Sequence, residues 1–152
     1  MSRNIIAILR GVRPCEVVEI AGTLLGCGIT KIEVPLNSPD PFESIAAIVQ
    51  EFEDQALIGA GTVLTVSDVQ RTCDVGGKIV VSPNCDPEVI AATKTAGLVS
   101  YPGVMTPSEC FLALHLGADG LKFFPGNLIE PAGMKAICAV LPKATEVLAV
   151  GG

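Results

Sequence analysis

Two hydrophobic patterns alternate along the chain. Short runs rich in apolar residues predict strands at residues 5–9, 29–34, 56–60, 78–82, 98–101 and 146–150, with one more around Lys122. Between them apolar residues recur at helical spacing, as at Val17, Ala21 and Leu24. Such runs are typical of parallel strands covered by helices, and the first, which is entirely apolar, predicts a strand buried on both faces. The pattern predicts seven strands alternating with six helices.

Several helix boundaries are marked by capping residues. Thr106, Pro107 and Glu109 have the spacing of a capping box with proline at the first helical position. Ser67 is predicted to cap the third helix, and the sixth helix is predicted at about residues 131–141. The fifth strand is predicted to end at Pro102.

The strand and helix pattern repeats about every two dozen residues, which predicts one α/β domain over residues 1–152 built from successive βα units. A doubly wound open sheet is the first alternative, but no G-x-G-x-x-G follows the first strand. Polar or special residues end nearly every strand, which favours a (βα)₈ TIM barrel. Because such a barrel needs about 200 residues or more, we expect one truncated after strand seven, without its C-terminal βα part.

The composition narrows the possible functions. Acidic residues outnumber basic ones 16 to 10 in 152 residues, so no basic face is available for nucleic acid or an anionic membrane. The six cysteines show no C-x-x-C spacing, which predicts reduced thiols in the cytoplasm. His115 is the only histidine and lies in a helix-like segment away from any cysteine pair, so no metal site is predicted and a surface or boundary position is expected. No apolar run is long enough for a signal peptide or a membrane span.

Lys122 is the one lysine inside an apolar run that reads as a buried strand. Burying an unpaired ammonium group costs several kcal/mol, so this position needs a reason. Either the side chain extends to water at the strand end, or the amine is kept dry with a lowered pKa as a Schiff-base nucleophile. The residue alone leaves both alternatives open.

The C-terminal ends of the predicted strands would bring a set of special residues to one rim of the barrel. They are Arg10, Glu33, Thr62, Asn84, Pro102 and Lys122. A lysine can form an imine with a ketone, a carboxylate can move protons, and an arginine can hold a carboxylate substrate. Each also has a structural alternative: Arg10 as a surface charge, Glu33 as a loop residue, and Thr62 as a helix cap.

Six short motifs in register resemble a known enzyme family. They are residues 7–11 (AILRG), 32–38 (IEVPLNS), 58–64 (IGAGTVL), 81–84 (VSPN), 101–103 (YPG) and 121–125 (LKFFP). Together they are similar to the class I aldolases of 2-keto-3-deoxy-6-phosphosugar acids, the KDPG/KHG aldolase family. The resemblance covers the whole chain in order.

The resemblance implies a homotrimeric aldolase that needs no metal or cofactor and cleaves a phosphorylated keto-deoxy-sugar acid to pyruvate and glyceraldehyde 3-phosphate. By position, Lys122 would be the Schiff-base lysine and Glu33 the general acid/base. The other implied contacts are Arg10 and Thr62 for the pyruvate carboxylate, Phe124 and Pro83 as pocket walls, and Gly151 and Gly152 for phosphate.

Two features resemble the galactonate branch of the family: the P-L-N-S sequence after the second strand, and Val150 before the glycine pair. Valine offers no hydroxyl to the substrate, so this position could tune stereochemical preference. The gluconate and 4-hydroxy-2-oxoglutarate type is the alternative. A second alternative is an inactive barrel fragment with a binding or assembly role.

Overall fold

Strands and helices alternate along the computed structural model, which describes residues 4–52 and 54–151. The strands are β1 (Ile6–Ile8), β2 (Lys31–Pro35), β3 (Leu57–Gly61), β4 (Ile79–Val81), β5 (Val99–Tyr101), β6 (Gly103–Val104), β7 (Gly120–Phe123) and β8 (Glu146–Ala149). The helices are α1 (Pro14–Gly26), α2 (Pro41–Phe52), α3 (Val66–Asp74), α4 (Pro87–Thr95), α5 (Pro107–His115) and α6 (Gly126–Cys138).

All strand pairings are parallel, in one sheet of order β1-β2-β3-β4-β5 and a second of order β6-β7-β8. Strand β5 ends at Tyr101, before Pro102, as predicted. After Pro102, whose carbonyl accepts a hydrogen bond from the Lys122 backbone N–H at 2.9 Å, the short strand β6 pairs with β7 in the second sheet, and this strand was not predicted. Proline has no N–H to donate, so it interrupts the ladder between the two strands. This division accounts for the strand beyond the seven predicted, and β8 is the strand predicted as the seventh.

Alternate residues of each strand serve two different cores. On the outer face, Ile32 and Val34 of β2 pack with Ile45 and Ile48 of α2. On the inner face, side chains of five strands form a separate cluster around Ile79, Val81 and Tyr101, with Ile6, Leu57, Val99 and Leu148 against them. The strands therefore enclose a barrel-like interior. Glu33 alternates with Ile32 and Val34, so it belongs to the inner face.

The first strand is not buried on both faces, contrary to prediction. Ile5 and Ile8 are 46% and 39% exposed. Within the described residues β1 pairs only with β2, and β8 only with β7. An apolar run predicts that both faces of a strand are covered, but it does not reveal whether neighbouring elements are present to cover them.

Two helix starts differ from the predictions. Thr65, not Ser67, is the N-cap of α3, because its Oγ1 accepts a hydrogen bond from the Asp68 N–H. Helix α6 begins at Gly126 and is interrupted at Glu130 (φ 57°), so the predicted start at residue 131 marks only its second part. The capping box of Thr106 and Glu109 is confirmed.

The predicted surface position of His115 is also confirmed. All six cysteines are free thiols. Across residues 4–52 and 54–151, the helices are too short or too polar to cross a bilayer.

Replacing Thr65 by alanine should lower the free energy of unfolding by about 1 kcal/mol, because the first turn of α3 loses its side-chain acceptor. Ser67→Ala is the matched control, since Ser67 is exposed and does not cap the helix. Urea unfolding of both variants measures the difference. A larger loss in Ser67→Ala would contradict the assignment of the cap.

Candidate active site

Lys122 and Glu33 face each other inside the barrel. Lys122 is the third residue of β7 and is 6% exposed, and Glu33 is the third residue of β2 and is 2% exposed. Both line one cavity of about 270 Å³. The other side chains around it are mostly apolar, among them Ile6, Ile8, Val81, Leu148 and Val150. The strand alternation thus places an amine and a carboxyl group in a shared, largely apolar space.

Lys122 is buried without an ion pair. No acidic side chain of the described residues lies within 4 Å of its amine. Burial lowers the pKa of Lys122, the negative charge of Glu33 partly opposes this, and the positive charge of Arg10 adds to it. The net shift is downward, which makes the neutral, nucleophilic amine more accessible near neutral pH.

The pKa of Glu33 is shifted in the opposite direction, upward. Burial raises its pKa to about 7, although Lys122 and Arg10 both pull the value down. Its Oε2 atom has no hydrogen-bond partner among the described residues. A carboxyl group that titrates near neutral pH can both accept and release a proton, as a general acid/base must.

Gly61 provides the space that Glu33 occupies. A Cβ atom at this position of β3 would overlap the Glu33 carboxyl group. Sequence reasoning did not identify Gly61 as a site residue. The available signal was its place inside a strand, where glycine often marks the close approach of another group.

Thr62 follows Gly61 and adopts a left-handed backbone conformation with φ 56°. This conformation is uncommon for a β-branched residue and costs on the order of 1–3 kcal/mol. It is held on both sides, since the Gly61 carbonyl accepts from the Leu36 N–H and the Val63 N–H donates to Val81. Thr62 therefore has a strained backbone directly after Gly61, the residue that makes room for the Glu33 carboxyl group, and such strain is concentrated at functional sites.

Arg10 and Phe124 lie near the cavity but do not line it. Arg10 follows β1 and is exposed, yet its charge acts on both Glu33 and Lys122. The Phe124 ring centroid is 4.9 Å from Lys122 Nζ. This contact favours a cation at Nζ, so it is suited to a charged iminium as well as to the ammonium form.

The remaining predicted site residues are divided between two places. Val150 lines the cavity of Lys122 and also a second cavity of about 240 Å³, which Gly151 lines as well. Pro83 is half-buried after β4, with its carbonyl against Gly103. Gly152 lies outside the described residues. The structure thus brings Lys122, Glu33 and Val150 into one cavity and leaves Thr62 and Pro83 out of its lining.

This arrangement can perform carbonyl chemistry through a lysine imine, with a carboxyl group that exchanges protons at neutral pH. The model of the KDPG and KHG aldolase family matches residues 1–152.

The chain belongs to this family.

Individual members agree in sequence and fold. The chain is 53% identical over 152 residues to the probable 2-dehydro-3-deoxy-6-phosphogalactonate aldolase of Rhizobium meliloti (strain 1021), covering all of this chain and 72% of that protein. A solved structure described as native KDPGal superposes with a TM-score of 0.94 at 42% identity, over 100% of this chain and 76% of the other. KDPG aldolase from Legionella pneumophila, solved with pyruvate captured as a covalent carbinolamine, has a TM-score of 0.88 at 28% identity, over 97% and 71% of the two chains. These likenesses confirm the predicted α/β, TIM-barrel-like fold and the aldolase family.

Glu33→Gln should make the folded protein less sensitive to pH between about 4.5 and 7. Folding raises the pKa of Glu33 from 4.5 to about 7, so the stability of the wild type is intact below the lower value and declines as pH rises through the upper one. The decline attributable to Glu33 is on the order of 2–3 kcal/mol, and glutamine cannot ionise.

Urea unfolding at pH 5 and pH 8 measures this difference. The stability of Glu33→Gln relative to the wild type should increase from the lower to the higher pH. Glu19→Gln, a change at an exposed position of α1, is the control and should show no such increase. Equal pH dependence in the wild type and Glu33→Gln would contradict the assigned direction of the shift.

Proposed function

We propose that this protein is a class I aldolase that cleaves 2-dehydro-3-deoxy-6-phosphogalactonate to pyruvate and D-glyceraldehyde 3-phosphate. The observation that carries the proposal is the buried Lys122 amine, free of any ion pair with the described residues, in one cavity with the Glu33 carboxyl group. The substrate is supported by the Rhizobium meliloti relative at 53% identity and by the KDPGal structure.

The first half of the reaction forms the imine. The neutral Lys122 amine attacks the C2 ketone of the substrate, and the resulting carbinolamine loses water to give an iminium ion. The covalent carbinolamine of the Legionella pneumophila enzyme with pyruvate supports this step. The iminium then accepts the electron pair of the C3–C4 bond as Glu33 removes the proton of the C4 hydroxyl.

The second half releases both products. Breakage of the C3–C4 bond leaves the aldehyde and an enamine on Lys122. Glu33 returns the proton to C3 of the enamine, and water hydrolyses the restored iminium to pyruvate and the free amine. A pKa of about 7 suits Glu33 to both proton transfers, because neither its protonated nor its ionised form is strongly favoured near neutral pH.

The remaining contacts are assigned in the same proposal. Arg10 and Thr62 hold the carboxylate of the substrate, and Phe124 and Pro83 form walls of the pocket. Gly151 and Gly152 bind the phosphate, and the proposal is supported by Gly151, which lines the second cavity together with Val150. Val150 favours the galactonate over the gluconate stereochemistry, because it offers no hydroxyl at that position. The homotrimer, the cytoplasmic location and the truncated single domain stay predictions.

Lys122→Arg should abolish covalent trapping of pyruvate by borohydride, because a guanidinium stays protonated and cannot form an imine. The measurement is intact mass, with the adduct located by peptide mapping. Lys78→Arg is the matched control, since Lys78 is exposed just before β4, and it should be trapped like the wild type. Persistent labelling in Lys122→Arg would contradict the assigned nucleophile.

Arg10→Lys should raise the KM for substrate about tenfold or more and change kcat less, since lysine cannot form the bidentate contact with a carboxylate. Arg13→Lys is the control three residues away, where the side chain pairs with Glu16 on the surface. Steady-state kinetics on both variants test the assignment. An unchanged KM in Arg10→Lys would show that another group holds the carboxylate.

A further inference from the structure

Ser38 connects two loops: the loop after β1, which carries Arg10, and the turn after β2, the strand that carries Glu33. It lies three residues beyond β2 and is 8% exposed. Its backbone N–H donates to the Pro35 carbonyl at 2.9 Å, which closes a turn at the end of β2. Its side-chain Oγ accepts a hydrogen bond from the Gly11 N–H at 3.0 Å, across 27 residues of sequence. The hydroxyl therefore joins the turn after β2 to the loop after β1.

Among the described residues, two hydrogen bonds hold the backbone on either side of Arg10, and this contact is one of them. On the N-terminal side, the Leu9 N–H donates to the Glu33 carbonyl at 2.9 Å, and on the C-terminal side the Gly11 N–H donates to Ser38. Both anchors come from β2 or its turn. The Arg10 side chain is exposed, and the described residues offer it no ion pair that would fix its direction. The position of its guanidinium relative to Glu33 therefore depends on the backbone that these two bonds hold.

We infer that Ser38 is a positioning residue that sets Arg10 for the carboxylate of the substrate. The inference rests on the proposed role of Arg10. A neutral hydroxyl is chemically suited to this task, because an acidic residue could also accept from the Gly11 N–H but would attract the Arg10 guanidinium and compete with the substrate. Alanine would keep the turn and lose the acceptor.

Ser38→Ala is the direct test, with Ser44→Ala as its control. Ser44 is another buried serine on the adjoining helix α2, and its Oγ has no partner among the described residues, so its loss should alter neither KM nor kcat. For Ser38→Ala we expect a rise in KM of roughly threefold to tenfold, which corresponds to one lost hydrogen bond, with kcat within about twofold of the wild type. The pyruvate concentration that gives half-maximal borohydride trapping should rise in parallel.

A second pair of variants compares a change in the backbone of the loop after β1 with a matched change elsewhere. Gly11 has φ 79°, and a Cβ there would meet nothing within 4 Å, so Gly11→Ala strains only the backbone. Gly97 has φ 74° and the same open surroundings, but it precedes β5 at the opposite end of the strands. Both variants should lose similar stability in urea unfolding. Only Gly11→Ala should raise KM.

An Arg10→Ala background separates positioning from general damage. Without a guanidinium to place, adding Ser38→Ala should change KM by less than about twofold. The inference is wrong if Ser38→Ala has the KM of Ser44→Ala, if its kcat falls as much as its KM rises, or if its effect is undiminished in the Arg10→Ala background. Failure of the wild type to trap pyruvate would instead overturn the proposed function. Trapping by the wild type is therefore measured before any variant is compared.

Discussion

The cost of removing two ionisable groups from water is the constraint on which the site depends. Burial disfavours the charge on Lys122 and the charge on Glu33, so the pKa values move toward each other, down for the amine and up to about 7 for the carboxyl group. A close ion pair would reverse both shifts, because each charge would stabilise the other. The absence of such a pair among the described residues therefore keeps the amine nucleophilic and the carboxyl group able to exchange a proton.

A close ion pair between a lysine and a glutamate is present elsewhere between the same two sheets. Lys31 Nζ lies 2.8 Å from Glu146, and the Tyr101 hydroxyl donates to the same carboxylate at 2.7 Å. Burial opposes charge on Lys31, but the hydrogen bonds to Glu146 and Tyr101 outweigh it and its pKa is raised. For Glu146 burial is likewise outweighed, by Lys31 and Tyr101, and its pKa is lowered. The ion pair joins β2 to β8, whereas the unpaired groups lie at the cavity. The paired charges and the unpaired ionisable groups thus lie in different parts of one barrel.

The sequence was sufficient to place most of the strands and helices and to single out Lys122 and Glu33 as candidate site residues. Lys122 could be singled out because a charged residue in a strand interior needs a specific reason, and Glu33 was placed by its position at a strand end and by the family resemblance. Contacts that depend on tertiary geometry were not predictable in this way. The roles of Gly61 and Ser38 depend on which group approaches from the neighbouring strand or loop, and neither partner can be predicted from the residue type. The exposure of β1 likewise depends on whether a second strand pairs with it.

The end of β3 shows how the site and the fold constrain each other. Gly61 must lack a side chain so that the Glu33 carboxyl group fits, and its carbonyl still accepts from the Leu36 N–H. The next residue, Thr62, turns through a left-handed conformation before the Val63 N–H reaches the Val81 carbonyl at 3.2 Å. A glycine at position 62 would relieve this strain, but it would remove the hydroxyl assigned to the substrate carboxylate. The strain at Thr62 is therefore the cost of a residue with a side chain directly after Gly61, and the hydrogen bonds on either side of it are what allow the fold to sustain that cost.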